Sequence, residues 1–168
     1  MANPLILTPV GKPDSVELHM YGGPYRQKPD NIEGVKMAVE ITAPCLIDIP
    51  THDFSIPDVA TLVHGLEAGY RYMVESERPL YVGCMGGIGR TGLYMAAMHK
   101  LCQTAPKYTL PIVGSWGWQS PPARECRDYI RAYYNAHAVE TSGQLDFIED
   151  LDLIPLAKKL WTAKVFKR

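Results

Sequence analysis

Cys84-Met85-Gly86-Gly87-Ile88-Gly89-Arg90-Thr91-Gly92 decides how this chain is read: a thiol, a glycine-rich arc of five residues and an arginine, with the apolar run Leu80-Tyr81-Val82 before it and the helix-compatible stretch Leu93 to Leu101 after it. A strand, a tight loop and a helix in that order let successive backbone N–H groups converge on one tetrahedral anion, with the partial positive charge of the helix N-terminus behind them. Met85, Gly86, Gly87, Ile88, Gly89 and Arg90 are the candidate anion-binding residues. Cys84, at the floor, is the candidate nucleophile, because a thiol at a helix N-terminus beside an arginine is held largely as the attacking thiolate. Each feature alone has a plainer reading, a cysteine as a small hydrophobe and a glycine-rich turn as a turn. Their combination is hard to assign to packing.

Two other loop chemistries fit less well. Gly87-Ile88-Gly89-Arg90-Thr91-Gly92 spells the G-x-G-x-x-G of dinucleotide-binding folds, but no Asp or Glu occurs from Arg78 to Arg124 to grip a ribose hydroxyl. A triphosphate-binding loop needs Lys before Ser or Thr, and Arg90 stands there.

From Leu18 to Leu151 the chain resembles the cysteine-dependent protein phosphatases, tyrosine-specific and dual-specificity, whose signature is His-Cys, five residues, then Arg-Ser/Thr-Gly. The resemblance implies a metal-independent phosphoryl transfer in two steps, with no cofactor and a phosphorylated protein or peptide as substrate. Attack by Cys84 on phosphorus requires an acid for the leaving oxygen. Asp53, thirty-one positions before Cys84 in Pro50-Thr51-His52-Asp53-Phe54-Ser55-Ile56-Pro57, resembles the family's acid loop. Asp58 is the rival, although a carboxylate there also suits a first helical turn, and Asp48 lies within the apolar Leu46-Ile47-Asp48-Ile49. Arg90 would clamp the phosphoryl oxygens with its planar fork, and Thr91 would donate its hydroxyl to the sulfur. Gln144 is the candidate for placing the second-step water. The family commonly carries two Gln four apart here; Glu140 takes the first position, and Thr141-x-x-Gln144 reads equally well as a helix capping box.

Gly83 departs from the pattern, which has His before the cysteine. Its freedom leads us to expect a less fully ionised thiol than in typical members and keeps open a second reading, a phosphoprotein-binding module with little or no turnover. Arg90 is the loop's one charged residue, which favours a monophosphate ester: phosphotyrosine first, phosphoserine or phosphothreonine also admitted, inositol phosphates and RNA ends less favoured. Tyr25 and Arg26 are placed at the rim.

The 168 residues, 46% of them apolar, fit a single domain over 1–168 with a basic C-terminal tail over 156–168. A net charge of −1 gives no nucleic-acid footprint, while the acid-free stretch with Arg78, Arg90, Lys100, Lys107 and Arg124 is expected to surround the pocket with positive charge. No span or secretory leader is read, so a cytoplasmic setting is expected. Cys45, Cys84, Cys102 and Cys126 lack zinc spacing, and a Cys45–Cys84 bridge ranks below a core role for Cys45. Strand signals at Val16 to Met20, Leu46 to Ile49 and Leu80 to Val82 alternate with helix signals at Val59 to Val74, Leu93 to Leu101, Cys126 to Tyr133 and Phe147 to Leu151. The expected fold is α/β, a central and mostly parallel sheet flanked by helices, with the Cys-x5-Arg loop between a strand and a helix. Thr104 to Pro122, with Trp116 and Trp118, reads as an irregular surface excursion. The tail reads as a terminal helix with a solvated face, membrane contact being the lesser alternative.

Overall fold

The computed structural model describes residues 3–10, 16–108 and 116–166. In chain order these form β1 (Leu5–Leu7), β2 (Leu18–Pro24), a 3₁₀ turn (Tyr25–Gln27), β3 (Glu33–Lys36), β4 (Ile47–Asp48), α1 (Val59–Ser76), β5 (Leu80–Cys84), α2 (Gly89–Gln103), β6 (Ala105–Tyr108), β7 (Trp116–Gln119), α3 (Ala123–Tyr133), α4 (Ser142–Asp150) and α5 (Ile154–Thr162).

Every residue of β5 is buried, as a near-continuous apolar run requires of a strand covered on both faces. It is the middle of a five-stranded sheet ordered β1-β2-β5-β3-β4, parallel to β2 and β3, while only β1 pairs antiparallel. The register sets Gly23 opposite Gly83 and Pro24 opposite Cys84, so the end of β2 and the turn after it lie directly against the strand that ends in Cys84.

α1 begins at Asp58, which caps it by accepting from Thr61 N at 2.9 Å and Thr61 Oγ1 at 2.9 Å, and it buries Leu62, Leu66, Tyr70, Met73 and Val74. α2 differs: Gly89 through Cys102 are all buried, so it runs through the interior with β5, α1, α3, α4 and α5 around it. Each fully buried Leu or Met on it, such as Leu93, Met95, Met98 and Leu101, contributes about 2 kcal/mol of burial.

Several expectations change. The sheet has two strands with no clear sequence signal, β1 and β3, each of four residues or fewer. The segment read as irregular contains an antiparallel pair, β6 and β7, with Pro106 opposite Trp118, and the Trp118 ring meets Trp161 of α5 edge-on at 6.3 Å. Residues 109–115 of that segment, and Lys167 and Arg168 of the tail, lie outside the described residues. The tail begins as α5, which buries Leu156, Ala157 and Leu160 and leaves Lys158 and Lys159 exposed. Among the described residues no helix is long and apolar enough to cross a membrane.

Candidate active site

Cys84 closes β5, and the chain then turns through residues 85–88 into α2. Its sulfur is buried and accepts from Gly87 N at 3.3 Å and from Thr91 Oγ1 at 3.2 Å. Thr91, in the first turn of α2, thus donates its hydroxyl to the sulfur. Gly87 has φ +74, and a Cβ there would come within 2.3 Å of Gly23 C, so only glycine allows the loop to lie this close to β2. Met85, by contrast, is an exposed apolar residue at the mouth.

Arg90 lies in the first turn of α2 and is 1% exposed. Its terminal nitrogens are taken: Nη1 donates to Glu40 Oε2 at 2.9 Å and to the Thr51 carbonyl at 2.7 Å, and Nη2 donates to Glu40 Oε1 at 2.7 Å. This two-pronged pairing holds the Glu40 carboxyl below its usual range, chiefly through the hydrogen bonds from Arg90. Burial alone would lower the Arg90 pKa, but the Glu40 hydrogen bonds and the charges of Cys84, Glu40 and Asp53 raise it, so the guanidinium stays charged. Of the five N–H groups three are engaged, and the second N–H of Nη2 has the Asp53 carboxylate near it at 3.7 Å. Arg90 Nε is buried and has no hydrogen-bond partner among the described residues.

Asp53 lies in the loop before α1, 60% exposed, with Oδ1 at 3.7 Å from Arg90 Nη2 and accepting from Phe54 N at 3.0 Å. The loop is shaped by Phe54, a non-glycine residue at φ +57 with its ring in solvent. The structure thus brings Asp53 to the arginine, while its two rivals lie elsewhere. Asp58 is engaged as the α1 cap, and Asp48 is exposed on β4, 3.9 Å from Lys36 Nζ.

Gln144 is fully buried and forms the capping box of α4: Thr141 N donates to its Oε1 at 3.2 Å, and its own N donates to Thr141 Oγ1 at 3.0 Å. Its Nε2 reaches the Ser55 carbonyl at 3.5 Å, which ties α4 to the loop bearing Asp53. Glu140 lies over the start of α2, so close to Gly89 that a Cβ there would meet its Oε1 at 2.2 Å.

The positive surrounding read from the acid-free stretch is not how the charges fall. Lys100 is buried on carbonyls of α4, Arg78 lies beside Glu17 and His19, and Arg124 sits among Glu125, Asp128, Asp146 and Glu149. Lys100 belongs to α2, Arg124 to α3, Lys107 to β6 and Arg78 to the segment before β5, so of the five Arg90 is the one set in the Cys-x5-Arg loop itself. The cations near Cys84 come instead from the segment after β2. Arg26 and Lys28, with Tyr25, Asp30, Ile41, Ala43, Pro44 and Met85, line a cavity of about 460 Å³ that opens on Cys84. Arg26 Nη1 donates to the Met85 carbonyl at 3.3 Å, and Tyr25 Oη donates to the Pro44 carbonyl at 2.6 Å, joining two walls. Burial, with nearby negative charge adding to it, pushes the Tyr25 hydroxyl up to about 12.

Gly83 also finds a local reason. A Cβ there would lie 2.7 Å from Tyr25 Cα, 2.9 Å from Tyr25 N and 3.0 Å from the Gly23 carbonyl oxygen, so the turn after β2 fills the space that a histidine would need. The sequence reading missed Glu40 altogether, although a buried arginine demands a carboxylate partner and invites the search for one.

By sequence the chain matches no family model and no curated protein. By structure it is similar to Tk-PTP in its active form (TM-score 0.56, 20% identity, 82% of this chain and 91% of that one). It is likewise similar to PTPMT1 in complex with PI(5)P (TM-score 0.51, 18% identity, 89% and 94%) and to kinase associated phosphatase (TM-score 0.51, 14% identity, 96% and 98%). The chain therefore has the fold of the cysteine-based protein tyrosine and dual-specificity phosphatases, with its Cys-x5-Arg loop at the C-terminal end of the central strand.

Proposed function

We propose that the chain is a phosphomonoesterase that works through a cysteinyl-phosphate, with phosphotyrosine in proteins as its preferred substrate class. The observation that carries this is the unpartnered Nε of Arg90, a buried charged donor next to a sulfur already held by two donors. A phosphoryl oxygen satisfies it, and burial without one is costly.

In the first step the Cys84 sulfur forms a bond to phosphorus as the phosphorus–oxygen ester bond breaks, and Asp53 gives its proton to the departing oxygen. In the second, water attacks phosphorus, Asp53 takes the proton, and the sulfur leaves with the Thr91 hydroxyl donating to it. Glu40 fixes the plane of the guanidinium throughout, which lowers the reorganisation needed as charge builds on the equatorial oxygens. Gln144, through Ser55, steadies the loop that carries the acid, and its amide is the candidate for orienting the water.

The apolar lining by Ile41, Ala43, Pro44 and Met85 favours an aryl ring over a hydroxylated one. A second substrate class is a phosphoinositide, for which Arg26 and Lys28 on the same cavity supply cations. The test is hydrolysis of p-nitrophenyl phosphate and of phosphotyrosyl peptides in chelator. Activity should vanish in Cys84→Ser, be blocked by vanadate, and fall about 10² to 10³-fold in Asp53→Asn. Turnover that survives Cys84→Ser overturns the mechanism. Failure to hydrolyse any ester, with tungstate still bound, leaves the binding-module reading.

A further inference from the structure

One peptide of the phosphate loop is held from behind by a residue far away in sequence. Tyr134 follows α3, and its hydroxyl donates to the Gly87 carbonyl. In a trans peptide the carbonyl and the next N–H point in opposite directions. An oxygen turned toward Tyr134 therefore turns the Ile88 N–H away from it, while the N–H at the other end of Gly87 is already directed at Cys84 Sγ. We propose that Tyr134 is a positioning residue of this loop, whose hydroxyl holds the Gly87 carbonyl outward and so presets the Ile88 N–H for an oxyanion, a task that no side chain at position 83 can share.

Three further observations support it. Position 83 has no room for a side chain, since a Cβ would run into the backbone of Tyr25. Space has been left for Tyr134 instead: at Gly22 a Cβ would lie 2.7 Å from both Cε1 and Cζ of its ring, so the ring rests on bare β2 backbone. The other tyrosine at the back of the loop does something different, because Tyr81 Oη donates to the Pro24 carbonyl at 2.8 Å and thus braces β2 rather than the loop. Burial, with the Cys84 charge adding to it, raises the Tyr134 hydroxyl well above the ordinary tyrosine range, which keeps it a donor wherever the sulfur is ionised.

The proposal rests on the loop being an oxyanion cradle, and Tyr134→Phe tests it, because the ring stays on Gly22 and only the hydroxyl goes. Calorimetric titration with tungstate should show binding weakened by about tenfold or more, and kcat on p-nitrophenyl phosphate should fall by a similar factor with KM changed less. The melting temperature should stay within a few degrees of the parent. A second measurement needs no variant: in the ¹⁵N-labelled parent protein the Ile88 amide proton should move downfield when tungstate is added. Unchanged tungstate affinity in Tyr134→Phe, or an Ile88 amide that does not respond, overturns the inference while leaving phosphatase activity to stand on its own assay. A parent that hydrolyses nothing, yet binds tungstate in a Tyr134-dependent way, overturns the enzymatic reading and supports this one. A parent that binds no tungstate overturns both.

Discussion

The two ends of α2 each carry a buried cation, Arg90 and Lys100, 1% and 4% exposed and about 15 Å apart along the axis. Lys100 spends its donors on three carbonyls at the end of α4, those of Ile148 at 2.6 Å, Glu149 at 3.1 Å and Leu151 at 2.7 Å. An ammonium has three N–H groups, so nothing remains. Arg90 has its terminal nitrogens fixed by Glu40 and Thr51 but keeps Nε unsatisfied. Both charges were expensive to bury. One is closed and serves the scaffold; the other keeps a buried nitrogen without a partner among the described residues.

The sharpest way to break that contrast is Arg90→Lys. A point charge cannot hold the Glu40 fork and a phosphoryl group together, so kcat/KM should drop roughly 10³-fold, an effect on the order of 4 kcal/mol, while the fold survives. A lysine variant that keeps most of the activity would erase the distinction. At the other end of the helix, Lys100→Met should remove about 3 kcal/mol of stability in urea unfolding, because the α4 carbonyls lose their donor, and should leave the specific activity of the folded fraction alone. Melting like the parent, or losing activity while folded, would show that Lys100 has been misjudged.

The third and smallest effect lies between them. His99 stacks on Tyr129 at 4.4 Å with Nδ1 buried and unpartnered, and burial pushes its pKa from an ordinary 6.5 to about 4. The unfolded chain takes up the proton first as pH falls, so the stability that depends on a neutral His99 is complete above pH 6.5 and is lost on the way to about pH 4. Between pH 7 and pH 5 the loss from this group should be about 2 kcal/mol, and His99→Phe should remove that slope from urea midpoints measured at the two values. An unaltered slope would mean that the ring is reached by water in the native state.

The sequence made the loop legible because its chemistry is local: Cys84, Arg90 and Thr91 sit within eight consecutive residues, between a short apolar run and a longer stretch of helix-compatible residues. Asp53 was legible only through its place ahead of Pro57 in a family-like loop. The missing parts are those that depend on distant chain segments meeting. Glu40 lies fifty positions from Arg90 and Tyr134 forty-seven from Gly87, and neither has a residue type or spacing that announces a partner. β1 and β3 were hidden for a different reason, because strands of three and four residues are too short to show a period. The positive surrounding was misread because charge was counted along the chain, whereas α2 carries Lys100 to the far end of its own length.

The fit between Gly83 and the turn at Tyr25 has a consequence for how such a protein can change over generations. A histidine at 83 requires the backbone at Tyr25 to retreat first, and that retreat would also disturb Arg26 and the wall of the cavity beside Cys84. The two segments are free to drift only together, so the shape of the cavity beside Cys84 and the identity of the residue before that cysteine form one inherited unit.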